Sequence, residues 1–450
     1  MSGNMLILLA VLAIFVLLFL VIRTKLHAFV SLLLVSLLVG IAAGMPLEGV
    51  IESVKNGMGG TLGFVAVVVG LGAMFGQMLE VSGGAERLAQ TLIKKFGEER
   101  AQWALGLTGF IVAIPVFFDV GFIILVPLVY SLAKKTGKSL LHYAIPLLAG
   151  LAVTHSFIPP TPGPIAVADL IGADLGWVIF FGVLAGIPSM VIAGPLFGRY
   201  IGKKIHATVP DYMEIKEKKY DKELPSFWLV TSLISIPLVL ILANTLSDLL
   251  IKDGTSLVPL RSFLTFMGHP FVALTIATIL AFILLGTLRG YTKEDVQGIA
   301  NKALEPAGII ILVTGAGGVF KQVLIDSGVG QVLGEKMASS PLPPILLAFL
   351  IAAAVRVAQG SATVSMVTAA GLMSPLITSM DMQGPVLGMM VIAIAAGATV
   401  LSHVNDSGFW LVNRFLGLNE KDTLKSWTIM ETLIGLVGFA VVFVCSFFIG

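Results

Sequence analysis

The sequence has little charge. Lysine, arginine, aspartate and glutamate make up 12 % of its 450 residues, whereas hydrophobic residues make up 57 %. A soluble domain carries about a quarter charged residues, so water cannot be the only solvent of this chain. Apolar runs of about 20 residues, the length that crosses a bilayer as a helix, recur from end to end. The sequence therefore predicts an all-α polytopic membrane protein that forms one compact helical domain.

Cysteine is almost absent as well. The single one, Cys445, excludes an internal disulfide and a cysteine-based metal site. The sequence also lacks the zinc, phosphate-loop, dinucleotide and Gly-x-Ser-x-Gly signatures, so we expect neither a cofactor nor a metal ion. A net charge of +2 without a dense basic segment gives no indication of nucleic acid as a partner. The apolar run at 5–22 lacks a basic leader and a small-residue cleavage site, and we expect a membrane span there.

The basic residues are concentrated between the apolar runs. Cytoplasmic connections should hold most lysines and arginines of a membrane protein. If the amino and carboxyl termini both lie outside, most of the 28 basic residues fall in cytoplasmic connections. These connections are 23–25, 87–100, 134–138, 199–222, 289–302 and 414–425.

This topology requires two segments, near 101–134 and 342–377, each to enter and leave the membrane on the same side. Both are interrupted in the middle, by VAIPVFFDVGF at 112–122 and by VRVAQGSATVSM at 355–366. The pattern predicts two re-entrant helical hairpins, one dipping in from the cytoplasm and one from outside. The alternative is two ordinary short spans in each segment, and the charge distribution does not distinguish the two.

A weak internal repeat relates the two halves of the chain. GAMFGQMLEVSGGAERL at 72–88 aligns with GGVFKQVLIDSGVGQVL at 317–333, and each copy is followed by a hairpin candidate, a broken span and a final span. We expect a first membrane repeat at 1–203, a cytoplasmic linker at 204–226 and a second, inverted membrane repeat at 227–450. Inverted repeats with interrupted helices at equivalent positions are typical of secondary transporters.

Four interruptions of the apolar pattern, two hairpin tips and two broken helices, are expected to converge. Unpaired backbone is not viable against lipid, so each interruption must face protein or a wet cavity, where a polar substrate would bind. Four prolines at 159–164 prevent helical pairing in the first broken helix. The candidate substrate-binding residues are Thr154, His155, Ser156, Thr161, Arg356, Gln359, Ser361, Thr363, His403, Asn405 and Ser407.

Three charged residues are predicted at membrane depth, namely Asp119, Arg356 and Asp406. A charge at this depth costs at least about 2.5–3.5 kcal/mol, which favours a functional role for all three. Each polar residue also has a structural alternative. Serine and threonine in membrane helices often donate to a carbonyl of the preceding turn, and a lone histidine at a helix interface is as often structural as functional.

This arrangement suits an organic anion. The helix amino termini after the hairpin tips and after residues 163 and 407 carry partial positive charge and free amides, and together with Arg356 they would hold a carboxylate. The hydroxyl and amide side chains suit a substrate that is rich in hydroxyls. A partly desolvated carboxylate can load and release a proton near neutral pH, so Asp119 and Asp406 are the candidate proton carriers, with His155 and His403 as relays.

Five runs spread over nearly the whole chain carry a family resemblance. They are FGQMLEVSGGAERLA, IPVFFDVGFIILVPL, HSFIPPTPGPIAVA, RVAQGSATVSM and SHVNDSGFWLV. In these runs the chain resembles the bacterial gluconate permeases, proton symporters of the ion-transporter superfamily. The resemblance implies uptake of D-gluconate or a closely related sugar acid with protons, in the inner membrane of a bacterium. It also implies a homodimer, in which each subunit has a scaffold and a moving transport unit.

The chain departs from the sodium-coupled relatives of that superfamily. Those proteins have Ser-Asn-Thr motifs at both hairpin tips, whereas this chain has FFDVGF and QGSATVS. The departure favours protons, although Ser361 and Thr363 offer oxygens to an ion. The alternatives are a proton- or sodium-coupled carrier of another organic anion, such as a dicarboxylate or lactate, and an intramembrane enzyme that uses histidine and aspartate. No paired catalytic motif supports the enzyme, and a channel fits poorly with two broken helices.

Overall fold

The computed structural model describes residues 3–210, 223–329, 332 and 342–449, and this part of the chain is helical without a β-strand. Eight helical stretches among these residues are long and apolar enough to cross a membrane. The prediction of an all-α polytopic membrane protein is therefore confirmed. The predicted linker at 204–226 falls partly on 211–222, which lies outside the described residues.

The helices of the first half follow the apolar runs of the sequence. A π-helical turn at Ile192–Leu196 joins α9 to α10, so the two form one continuous span. The helices are α1 (Gly3–Ile22), α2 (Ala28–Ala42), α3 (Leu47–Val81), α4 (Gly84–Phe96), α5 (Ala101–Val112), α6 (Phe118–Thr136), α7 (Leu141–Phe157), α8 (Pro162–Ile171), α9 (Leu175–Val191) and α10 (Phe197–Lys204).

The second half has a similar order of elements. A π-helical segment at Leu424–Thr428 joins α19 to α20, so Glu420–Ile449 is one continuous helix. The helices are α11 (Phe227–Leu250), α12 (Val258–Gly268), α13 (Pro270–Ala281), α14 (Lys293–Asp326), α15 (Pro344–Gln359), α16 (Ala362–Ser379), α17 (Pro385–Gly397), α18 (Ser407–Leu416), α19 (Glu420–Thr423) and α20 (Ile429–Ile449).

The two longest helices, α3 and α14, pack against each other at close range. A Cβ atom at Gly57 would lie 2.6 Å from the carbonyl oxygen of Gly318, and one at Gly318 would lie 2.1 Å from Oγ1 of Thr61. Ser53 on α3 donates a hydrogen bond of 2.6 Å to Asp326 on α14. Small residues thus let the backbones of the two halves approach, as at many helix interfaces in membranes.

All four interruptions predicted from the sequence are present. They lie at 113–117 between α5 and α6, at 158–161 between α7 and α8, at 360–361 between α15 and α16, and at 398–406 between α17 and α18. Helix α5 has 12 residues and α15 has 16, which at 1.5 Å per residue give about 18 and 24 Å. Both are shorter than the ~30 Å hydrocarbon core, which favours re-entrant hairpin arms over full spans.

The first broken helix lies in the interior of the protein. In the span Leu141–Ile171, 89 % of the most apolar window is buried, whereas in the span Phe227–Leu250 the share is 33 %. The prolines at 159–164 therefore interrupt a helix that is surrounded by protein. This is the environment that unpaired backbone requires in a membrane.

Candidate substrate site

A cavity of about 470 Å³ lies where the interruptions converge. Its volume is within the range of small-molecule sites. Its wall includes both hairpin tips and both broken helices, together with parts of α14 and α20. Of the residues that the sequence predicts for the site, it brings together Asp119, His155, Ser156, Arg356, Gln359, Ser361, Thr363, Asn405, Asp406 and Ser407.

Arg356 and Asp406 form a buried ion pair on the cavity wall. Nη2 of Arg356 lies 2.6 Å from Oδ2 of Asp406, and the two side chains are 2 % and 12 % exposed. Nη1 of Arg356 donates to the carbonyl oxygen of Gly360, at the tip of the second hairpin. The arginine therefore joins the end of α15 to the segment that precedes α18.

The carboxylate of Asp406 is fully engaged by the protein. Its Oδ1 accepts a hydrogen bond of 3.0 Å from the amide of Gly408, which makes Asp406 the N-cap of α18. Its Oδ2 also accepts from the hydroxyl of Ser402 at 2.5 Å, and Oγ of Ser402 accepts from Nε1 of Trp427 at 2.7 Å. Arg356 and the amino terminus of α18 were both predicted to bind a substrate carboxylate. In the structure, the carboxylate of Asp406 occupies both.

The second hairpin tip is in direct contact with the second broken helix. Gly360 has φ +83°, and a Cβ atom there would lie 2.2 Å from the carbonyl oxygen of Asn405. Nδ2 of Asn405 donates to the carbonyl oxygen of Val357 at 2.9 Å, and Nε2 of His403 lies 3.1 Å from the same oxygen. His403 therefore contacts the end of α15 and does not line the cavity, in contrast to the prediction that it binds substrate.

Two predicted threonines also lie away from the cavity. The buried hydroxyl of Thr154 donates to the carbonyl oxygen of Phe110 at 2.8 Å, and that of Thr161 donates to the carbonyl oxygen of Ile158 at 2.6 Å. Both acceptors lie at or near a helix end, where carbonyls lack helical partners. The structural alternative describes these hydroxyls better than a substrate contact does.

Asp119 lies in the first turn of α6 and is exposed on the cavity wall. Among the described residues it has neither a hydrogen bond nor an ion pair. A carboxylate at a helix amino terminus is favoured by the helix dipole. The side chain of Asp119 is therefore accessible from the cavity and is not held by another side chain of the described residues.

His155 and Gln359 offer polar atoms that have no hydrogen-bond partner among the described residues. These atoms are Nδ1 of the half-buried His155, and Oε1 and Nε2 of Gln359. All three atoms are buried, and both residues line the cavity. Buried polar atoms of this kind are costly unless something bonds to them, so they are available to a polar ligand.

Sequence reasoning missed Glu431 and Trp427 on the cavity wall. Glu431 is 4 % exposed, and its Oε1 has no hydrogen-bond partner among the described residues. A signal for it was present, because WTIMETLIG places a lone glutamate in an apolar run. Its nearness to the charged connection at 414–425 made it resemble a residue at a span end.

The charges of the cavity do not balance. Its wall holds three carboxyl groups, those of Asp119, Asp406 and Glu431, and one guanidinium group, that of Arg356. If all three carboxyl groups are ionised, an anionic ligand enters a site that is already negative. Protons on the carboxyl groups that Arg356 does not neutralise would make an anion more favourable in this cavity.

The same chain can be compared with known proteins. Residues 5–448 match the family model described as GntP family permease. The chain belongs to this family. Among GntP-type relatives, the low-affinity gluconate transporter of Escherichia coli (strain K12) is 44 % identical, over 97 % of this chain and 97 % of its own. The gluconate permease of Pseudomonas aeruginosa is 40 % identical over 95 % and 94 %, and the Gnt-II system L-idonate transporter of Escherichia coli (strain K12) is 39 % identical over 94 % and 94 %.

The fold of this GntP family permease is also found in a solved structure. The YdaH transporter of Alcanivorax borkumensis matches with a TM-score of 0.67 at 16 % sequence identity, over 93 % of this chain and 98 % of that one. At this identity the match shows a shared fold. The resemblance read from the five sequence runs is confirmed, and the protein is a multi-pass membrane permease rather than an enzyme.

Proposed function

We propose that this permease takes up D-gluconate or a closely related sugar acid together with protons, by alternating access across the bacterial inner membrane. The observation that carries the proposal is the 470 Å³ cavity, where hydroxyl groups, amide groups and an excess of carboxyl groups meet inside a membrane protein. The names of the relatives support the substrate, since they are gluconate and L-idonate transporters.

The substrate carboxylate binds at the amino terminus of α16. Ser361 caps this helix by accepting from the amide of Val364 at 3.4 Å, and the amides of Ala362 and Thr363 precede that position. First-turn amides have no partner within the helix, and the helix dipole favours an anion there. The amino terminus of α16 therefore takes the role of anion site that the sequence suggested for the amino terminus of α18, because Asp406 occupies the latter.

The substrate hydroxyls bind the polar side chains around that end. Thr363, Ser156 and Ser407 line the cavity with hydroxyl groups. The side-chain amide of Gln359 adds a donor and an acceptor that no described residue bonds. A polyol acid uses such groups in both hydrogen-bonding directions. A simple monocarboxylate such as lactate would leave most of them unbonded.

Protons compensate the negative charge of the loaded cavity. Of the four proposed carriers, Asp406 is held by Arg356, and His403 lies off the cavity, whereas Asp119 and His155 face it. We therefore assign proton loading from the solvent to Asp119, with His155 as a second group that lines the same cavity. Coupling follows because the anion and the proton stabilise each other in the site.

The proposed architecture is a pair of inverted repeats, 1–203 and 227–450, in a homodimer with both termini outside. The matching order of long helix, hairpin and broken helix after residue 47 and after residue 293 supports the repeat. Two such halves exchange inward-open and outward-open shapes about a site between them.

Transport by purified protein in liposomes tests the proposal. An imposed inward proton gradient should accumulate labelled gluconate, and a protonophore should abolish the accumulation. Accumulation driven by a sodium gradient at clamped pH would contradict proton coupling. Accumulation of a dicarboxylate or lactate but not of gluconate would contradict the substrate.

A further inference from the structure

Glu431 occupies an unusual position in the membrane-spanning part of the chain. It lies three residues beyond the π-helical segment Leu424–Thr428, within the continuous helix Glu420–Ile449 of 30 residues. At 1.5 Å per residue it is about 16 Å along the helix from Glu420. Segments of π-helix inside α-helices are frequent at functional sites. Glu431 is therefore well inside the span, beside the cavity.

Among the residues that the structure describes, no unpaired cation faces Glu431 across the cavity. The carboxylate is 4 % exposed, and its Oε1 has no hydrogen-bond partner in the described part of the chain. Arg356, the cation on the same cavity wall, is engaged by Asp406 at 2.6 Å. The helix is continuous through Glu431, so it offers no free amides of the kind that Asp119 meets at the start of α6.

The surroundings of Glu431 contain few other charges. The titratable and charged groups that face it across the cavity are Arg356, Asp406, Asp119 and His155. Helices α9 and α17, which pack against α20, have no charged residue in their sequences. Because Arg356 is paired with Asp406, the described residues around the cavity supply no further cation to an ionised Glu431, and a proton on the carboxyl group would remove that charge.

We propose that Glu431 is a second proton-binding site of the transport cycle, in addition to Asp119. The inference rests on the proposed function. A proton from the outer solution bonds to the carboxylate oxygen of Glu431 when the outward-facing cavity loads. The O–H bond breaks and the proton leaves to the cytoplasm after the anion has been released there. Each carboxyl group that Arg356 does not neutralise then carries one proton.

The test measures gluconate accumulation as a function of the imposed pH gradient, in liposomes whose membrane potential is clamped at zero. Each coupled proton adds about 1.4 kcal/mol per pH unit, which is about a tenfold rise in accumulation. Glu431→Gln should therefore accumulate about tenfold less than the wild type per pH unit, while gluconate exchange without a gradient persists. An unchanged slope in Glu431→Gln would overturn the inference.

Glu48→Gln is the matched control, because Glu48 is an exposed glutamate in the first turn of α3, away from the cavity. It should keep the wild-type slope. Glu431→Asp keeps the carboxyl group and should keep the slope, with the pH of half-maximal uptake displaced. If Glu431→Gln does not fold, the inference is tested with Glu431→Asp alone. A pH of half-maximal uptake equal to that of the wild type in Glu431→Asp would overturn the inference. If gluconate accumulation by the wild type does not depend on the pH gradient, the proposed function itself is contradicted. This result differs from an unchanged slope in Glu431→Gln, which contradicts only the inference about Glu431.

Discussion

The side chains of Arg356 and Asp406 meet at 2.6 Å on the wall of the cavity and tie the second hairpin to the second broken helix. Each also contacts the backbone of the segment it belongs to, through the carbonyl of Gly360 and the amide of Gly408. The two interruptions therefore form one unit, and a substrate that binds beside them contacts both at once.

Loss of the arginine should destabilise the protein. Arg356→Ala leaves Asp406 buried without its cation, and breaking a buried pair in this way costs about 3–5 kcal/mol. The melting temperature of the purified protein in detergent should fall accordingly. The control is Arg261→Ala, which removes a partly exposed arginine paired with the exposed Asp248 and Asp253. It should change the melting temperature little, since exposed ion pairs contribute little. Equal losses in the two variants would contradict the importance of the buried pair.

Alanine at Gly360 should impair both stability and uptake. The residue has φ +83°, and its Cβ atom would lie 2.2 Å from the carbonyl oxygen of Asn405, so the hairpin tip has to move away from the broken helix. Gly384 is the matched control, because it also has positive φ, at +59°, but has nothing within 4 Å of a Cβ atom. Gly384→Ala should show the cost of backbone conformation alone, about 1–3 kcal/mol. If thermal melting and gluconate uptake respond equally in both variants, the contact with Asn405 is unimportant.

Asp119→Asn should lose proton loading while it keeps the shape of the site. Gluconate exchange at equal concentrations should persist, and accumulation per pH unit of gradient should fall, because asparagine cannot bind the proton. Asp253→Asn, in the exposed connection before α12, serves as the control and should behave as the wild type. An unaltered pH dependence in Asp119→Asn would remove Asp119 from the coupling mechanism.

The proposed topology places Asp253 outside and Lys138 inside. Both residues are exposed, and Cys445 is the single natural cysteine, so Cys445→Ser provides a background without thiols. In intact cells, an impermeant maleimide should label Asp253→Cys and should label Lys138→Cys only after the cells are opened. The opposite labelling would invert the orientation that the charge distribution predicts.

The interruptions of the helices were predictable because their signals are local. Proline, glycine and lone charges inside apolar runs stand out in a sequence, and the cost of exposing broken backbone to lipid requires the four interruptions to be covered by protein. The predicted cavity residues Asp119, Ser156, Gln359 and Ser407 follow from that reasoning. Their location on the cavity wall could be predicted without knowledge of any particular side-chain contact.

The choice of partners was not predictable in the same way. Nothing in the sequence says that Asp406 will pair with Arg356 and cap α18, or that the hydroxyl of Thr154 will bond to Phe110 on another helix. These contacts depend on how the helices cross. Glu431 was missed for a related reason, because the continuous helix from Glu420 places it deep in the membrane although it follows a charged connection closely in the sequence.

The close approach of Gly57 and Gly318 makes the halves of the chain mutually dependent for assembly. A half expressed alone exposes a small-residue stripe on a long helix, with no side chains to fill the space that its partner helix leaves. Two fragments divided within 204–226 should therefore find each other through α3 and α14 when they are produced together, and should be degraded when produced singly. In such a divided transporter, the packing of α3 against α14 at Gly57 and Gly318 would hold the two halves together without a peptide bond between them.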